Sequence, residues 1–126
     1  MAEAKFYRCK KCGNLHVAIL GGKVTPQCCG EPMGVLEAGV TDAATEKHVP
    51  VVTREGDTVR VAVGEVAHPM TPEHLIQFVA VVTDDRIEVA KLDADDAPEA
   101  TFAVAAGVAG TAYEYCNLHG LWKADF

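Results

Sequence analysis

Four cysteines lie close together near the start of the chain, as Cys9-Lys10-Lys11-Cys12 and Cys28-Cys29-Gly30, in a stretch that ends near Glu37. A unit of that size falls below the ~40 residues at which a hydrophobic core alone suffices, so it needs a metal to fold. Two cysteines separated by two residues can bend around one ion, aiming both sulfurs inward and freeing backbone N–H groups to support them. The adjacent pair departs from the paired C-x2-C knuckles of zinc ribbons and implies a strained, less regular tetrahedron. Gly21-Gly22, between the two pairs, reads as the turn of a hairpin joining two metal-binding corners. Zinc and iron share tetrahedral thiolate coordination, so the ligands leave both open.

The fifth cysteine belongs to a second set, spread over Glu46-Lys47-His48-Val49-Pro50, His68-Pro69-Met70 with His74, and Cys116-Asn117-Leu118-His119-Gly120. A structural zinc site closes at four ligands and a catalytic one keeps three. Four imidazoles and one thiolate point instead to a redox metal that prefers five or six positions, and iron with one position left for a small molecule fits best. A blue-copper carrier is the competing reading, since it also uses cysteine and histidine near the end of a β-sandwich. Its axial methionine should follow the last histidine, but residues 120–126 contain none and Met70 sits beside His68. Pro50, Pro69 and Pro72 stiffen the backbone beside the rings. His16 lacks such a setting and reads as a solvated side chain. By base rate Glu46 and Lys47 are ordinary exposed charges. Beside His48, however, the lysine can gather a small anion and the carboxylate can reach an open metal position.

The rest of the chain carries a β pattern. Val49 to Thr53 and Thr58 to Val63 flank Glu55-Gly56-Asp57, and Val59, Val61 and Val63 alternate with smaller or polar residues. His74 to Val82 and Arg86 to Leu92 flank Thr83-Asp84-Asp85, and Thr101 to Ala105 and Thr111 to Cys116 supply two further strands. Thr41 to Thr45 reads as a linker or short helical turn, with Asp42 a possible cap. Short strands at regular spacing indicate an antiparallel sandwich or barrel, so the expected class is all-β: a metal-stapled domain over residues 1–37 and a β-sandwich over 38–126.

A net charge of -7 with scattered Lys and Arg speaks against nucleic acid and sets an unfavourable field for an anionic substrate. No apolar run approaches the ~20 residues that span a bilayer, and no stretch reads as a secretory signal. Cytoplasm is the expectation, and there five cysteines are metal ligands or reactive thiols before they are disulfides.

Taken together, these motifs resemble the desulfoferrodoxin family, the two-iron superoxide reductases, over nearly the whole chain. Cys9-x2-Cys12 with Cys28-Cys29-Gly30-Glu31-Pro32-Met33 is similar to the family's desulforedoxin-like domain, and EKHVP, HPM and CNLHG resemble its neelaredoxin-like domain. The resemblance implies two iron ions per chain. Cys9, Cys12, Cys28 and Cys29 would hold a rubredoxin-like iron, while His48, His68, His74 and His119 would surround a ferrous iron with Cys116 as axial ligand. It further implies an immunoglobulin-like sandwich, with Glu46 on the sixth position at rest and Lys47 attracting superoxide. Rubredoxin or a similar small carrier would be the electron donor, and a homodimer would form through the small domain. Leu75 stands where several relatives are expected to carry a bulky aromatic.

Overall fold

A computed structural model describes residues 2–40 and 45–126, with residues 45 and 46 described by backbone alone. The anticipated linker and Asp42 cap, and the side chain of Glu46, lie outside the described residues. The chain divides into two compact units, Ala4–Glu37 and Ala38–Phe126, the latter joined by the first three residues.

In the smaller unit β1 (Phe6–Arg8) lies between β2 (Leu15–Val17) and, after the β3 (Gln27–Cys28) and β4 (Glu31–Pro32) ribbon, β5 (Gly34–Val35). All pairings are antiparallel. The expected hairpin about Gly21-Gly22 is corrected here, because both glycines lie in an exposed connection between β2 and β3. Chain reversal happens at the cysteines instead. β1 returns into β2 through the Cys9–Asn14 knuckle, where the Cys9 N–H donates to the Asn14 carbonyl at 2.8 Å and Gly13 takes φ 81°. β3 returns into β4 through Cys29 and Gly30, at φ 52° and 78°, the left-handed pair that a two-residue hairpin requires. A glycine meets that requirement freely, whereas Cys29 accepts it under strain. The core of this unit is small: Tyr7, Cys9 and Met33 are buried, with Ala18 and Cys28 packed against them.

The larger unit opens with a four-residue helix, α1 (Thr45–His48), and continues as seven strands: β6 (Pro50–Glu55), β7 (Thr58–Val63), β8 (Ile76–Val82), β9 (Ile87–Lys91), β10 (Glu99–Ala103), β11 (Thr111–Cys116) and β12 (Gly120–Asp125). They form two antiparallel sheets, ordered β10-β7-β6 and β12-β11-β8-β9. Val59, Val61 and Val63 from the first sheet meet Val79, Val81, Ala112 and Cys116 from the second, so the sheets face each other as an immunoglobulin-like sandwich. Each of the three valines is fully buried, worth about 1.5–3 kcal/mol of transfer free energy as an upper bound.

β11 is buried along its whole length: β8 and β12 pair with both its edges, and Ala112 and Cys116 enter the core. Phe78 of β8 and Tyr115 of β11 stack at 5.7 Å. The Tyr115/Cys116 step carries a register shift against β8, which re-aims the end of the strand where Cys116 sits. No helix among the described residues is long and apolar enough to cross a membrane.

Candidate metal centres

In the smaller unit the sulfurs of Cys9, Cys12, Cys28 and Cys29 lie within 4.8 Å of one another. The Cys12 and Cys28 sulfurs are 3.4 Å apart and those of Cys28 and Cys29 are 3.9 Å apart. A tetrahedron with metal–sulfur bonds of about 2.3 Å has sulfur–sulfur edges of about 3.8 Å, so the set fits one ion. All five cysteines are free thiols. The backbone N–H of Cys12 lowers Cys9 to about 6, whereas the Cys12 and Cys9 sulfurs push Cys29 up to about 12. The crowded sulfurs raise both Cys28 and Cys29, and a cation among them would favour their thiolates. The cluster is therefore able to bind iron.

The second centre draws on separate parts of the sandwich. His48 ends α1, His68 and His74 lie in the connection from β7 to β8, Cys116 ends β11, and His119 lies in the turn into β12. Four imidazoles close a ring in the order His48, His68, His74, His119. Successive centroids are 4.8, 4.7, 5.2 and 4.8 Å apart, and each ring stands edge-on to the next at 75–84°. Donor atoms of His48, His68, His74 and Cys116 fall within 4.8 Å of one another. His119 joins through Nδ1, 3.1 Å from His48 Nε2 and 3.8 Å from Cys116 Sγ. His68 Nε2 is 3.2 Å from His48 Nε2. Two nitrogens at right angles on one ion, with bonds of about 2.1 Å, stand about 3.0 Å apart, close to both contacts.

The protonation pattern agrees with ligation. His68 Nδ1 lies 2.7 Å from the Pro69 carbonyl, which places the proton there and leaves Nε2 as the lone pair facing inward. Burial lowers His68 to about 4, against the Pro69 hydrogen bond. Burial also lowers His74, followed by charge on His119, His48 and Lys47. His74 Nε2 is buried with no hydrogen-bond partner, an orphaned acceptor that a metal would satisfy. Cys116 is raised by burial, opposed by the N–H groups of Leu118 and His119. These donors suit a ferrous ion, and the group is able to bind iron.

Lys47 is exposed on α1 and acts electrostatically on His74. His16 is exposed on β2, apart from both clusters. Met70, weighed above as a copper ligand, has its sulfur 3.3 Å from the Ile76 N–H and packs against the core.

Three supporting roles and one buried carboxylate escaped the sequence reading. Trp122 stacks on His48 and donates its indole N–H to the His119 carbonyl at 3.1 Å. Asn117 accepts the Leu75 N–H at 3.0 Å and donates to the Glu73 carbonyl at 2.9 Å, tying the CNLHG turn to the His74 segment. Thr71 accepts the His74 N–H at 3.1 Å. Glu114 is fully buried, with neither carboxyl oxygen partnered, and burial pushes it up to about 9. An asparagine in a turn signals such a tie, but nothing in the pattern around Glu114 marks it as buried.

The family model for desulfoferrodoxin matches residues 40–125. The desulfoferrodoxin of Clostridium acetobutylicum is 48% identical over 123 residues, covering 98% of this chain and 97% of the relative. The superoxide reductase of Pyrococcus horikoshii is 38% identical over 98 residues, covering 64% of this chain and 85% of its own. Among solved structures, the superoxide reductase from Treponema pallidum superposes with a TM-score of 0.79 at 41% identity, covering 97% of this chain and 98% of the other. With both metal-binding groups present and a similarity that spans both units, the chain belongs to the desulfoferrodoxin family.

Proposed function

We propose that this protein is a superoxide reductase, with a four-histidine, one-cysteine iron centre as the catalytic site. The closed ring of His48, His68, His74 and His119 beside the Cys116 sulfur carries this reading. Five protein donors on an ion that takes six leave one position for a small molecule. Held by these five residues, ferrous iron would supply the one electron that, with two protons, turns superoxide into hydrogen peroxide.

The chain's own residues prepare that reaction. The Pro69 carbonyl fixes the tautomer of His68, and burial favours the neutral, ligating form of His68 and His74. Backbone N–H groups of Leu118 and His119 favour the Cys116 thiolate against its burial, and that thiolate would donate charge to a bound metal. Lys47 supplies a local cation against the net charge of -7, drawing the anion toward the site. Glu46, one residue earlier, is the carboxylate within sequence reach of the open position at rest.

Each turnover consumes an electron, so an external donor is required, and rubredoxin or a similar small carrier is the class proposed. Residues 1–37 are the desulforedoxin-like domain, whose four cysteines hold the second iron, and 38–126 the neelaredoxin-like domain. Exposed Ile19, Leu20, Val24 and Val35 on the small unit favour a homodimer through that domain. A cytoplasmic location accords with the free cysteines.

The test is anaerobic mixing of the reduced, iron-loaded protein with superoxide. A reductase oxidises one iron and yields one hydrogen peroxide for each superoxide consumed. Release of dioxygen, with half that peroxide and no net iron oxidation, would identify a dismutase and refute the reading.

A further inference from the structure

The four-cysteine cluster carries a donor that belongs to no thiol and to no peptide group. Asn14 ends the Cys9 knuckle, where its backbone carbonyl accepts the Cys9 N–H at 2.8 Å. Its side-chain Nδ2 stands 3.6 Å from the Cys28 sulfur. We propose that the Asn14 amide is a redox-tuning hydrogen-bond donor to Cys28, holding the four-cysteine iron at a higher reduction potential than its thiolates alone would set. The inference rests on the reading that this cluster holds iron.

The position of the amide is set by the fold rather than by chance. Gly13, at φ 81°, turns the chain so that Asn14 leads into β2 while Cys9 closes the loop behind it. β3 then delivers Cys28 to the same side, beside Cys12 at 3.4 Å. Among the described residues, Asn14 is the one side chain other than cysteine with a hydrogen bond to these sulfurs.

The physical consequence follows from charge. Four thiolates around ferric iron carry a net charge of one negative unit, and around ferrous iron two. An N–H directed at a sulfur is bound more strongly by the more negative state, so it favours reduction. No bond to iron forms or breaks, and one electron enters. Because Asn14 is exposed, water competes for the amide, and the effect is a modest one.

Redox titration of the full-length, iron-loaded protein, followed by the thiolate-to-iron absorption of the four-cysteine centre, tests this. In Asn14→Ala, the ratio of reduced to oxidised iron at fixed poise should fall roughly three- to tenfold, tenfold being about 59 mV for one electron. Asn14→Asp keeps the shape, loses the donor and adds negative charge, so its potential should fall further. Asn14→Gln, which retains an amide, should lie between wild type and Asn14→Ala. In zinc-loaded protein the Asn14 side-chain amide proton should resonate downfield of a solvated amide.

Equal potentials in wild type and Asn14→Ala would overturn the proposal even if Asn14→Asp fell, since added charge alone explains that fall. A wild-type protein lacking the four-thiolate iron spectrum would instead overturn the iron reading, and this proposal with it.

Discussion

Trp122 lies against His48, the two ring centroids 5.1 Å apart and their planes inclined by 25°. The same indole donates to the His119 carbonyl, so one buried side chain on β12 holds two neighbouring imidazoles of the metal ring. Trp122→Ala should weaken iron retention at this centre about 10- to 100-fold, the range seen when groups supporting metal ligands are lost. Trp122→Phe keeps the stacking face and loses the N–H, so its loss should be smaller. Iron titration monitored by the thiolate absorption of Cys116 distinguishes the two, and equal affinity in all three proteins would show that the indole does not organise the ring.

Lys47 provides the cation nearest in sequence to this centre, and its charge is felt at His74. Lys47→Ala should lower the second-order rate with superoxide about tenfold and flatten its dependence on ionic strength, while iron content stays unchanged. Pulse radiolysis across a salt series measures both. A mutant as fast and as salt-sensitive as wild type would remove the steering role.

The metal-free protein should show an uneven pH dependence. His68, lowered by burial to about 4 from an ordinary 6.5, binds fewer protons folded than unfolded in that window, so its contribution to stability is lost as pH falls from 6.5 to 4. Glu114, raised by burial to about 9 from 4.5, binds more protons folded, so its contribution is lost as pH rises through 9. The two oppose each other between about 4.5 and 6.5, and above that Glu114 lowers the stability of the larger unit, whereas Cys9, lowered to about 6 in the smaller unit, contributes the other way. Denaturant midpoints of the larger unit in metal-free protein should therefore fall between pH 6.5 and 9. Glu114→Gln should remove that fall, and a mutant that still loses stability over this range would assign the effect elsewhere.

With Phe6, Tyr7, Cys9 and Met33 as its buried apolar residues, the smaller unit depends on its ion. Cys9→Ser should collapse the amide dispersion of Ala4–Glu37 while that of Ala38–Phe126 persists on its own valine-rich core. Two-dimensional amide spectra make the comparison, and a dispersed small unit in the mutant would show that packing alone suffices.

The grouping of the cysteines and histidines was legible in the sequence, because a metal-binding set draws on few residue types at few spacings. β7 was legible too, since one buried face writes an alternation into Val59, Val61 and Val63. β12 was missed because Leu121 and Trp122 are buried side by side, which erases that alternation, and Trp122 was missed with it. β10 begins at Glu99, two residues before the expected Thr101, because its pairing with β7 extends to Ala62. Gly21-Gly22 misled for a different reason: in a unit shaped by metal knuckles, the cysteines and not the glycines reverse the chain. Glu114 reads as an ordinary strand carboxylate, and only the covering of β11 on both faces reveals it as buried.

The central claim is that His48, His68, His74, His119 and Cys116 hold one iron. Anomalous diffraction at the iron edge, on anaerobically prepared and reduced protein, tests it most directly. The account predicts a single peak in the larger unit, about 2.0–2.3 Å from four imidazole nitrogens and about 2.3 Å from the Cys116 sulfur. A peak that any of those five donors fails to reach would contradict it.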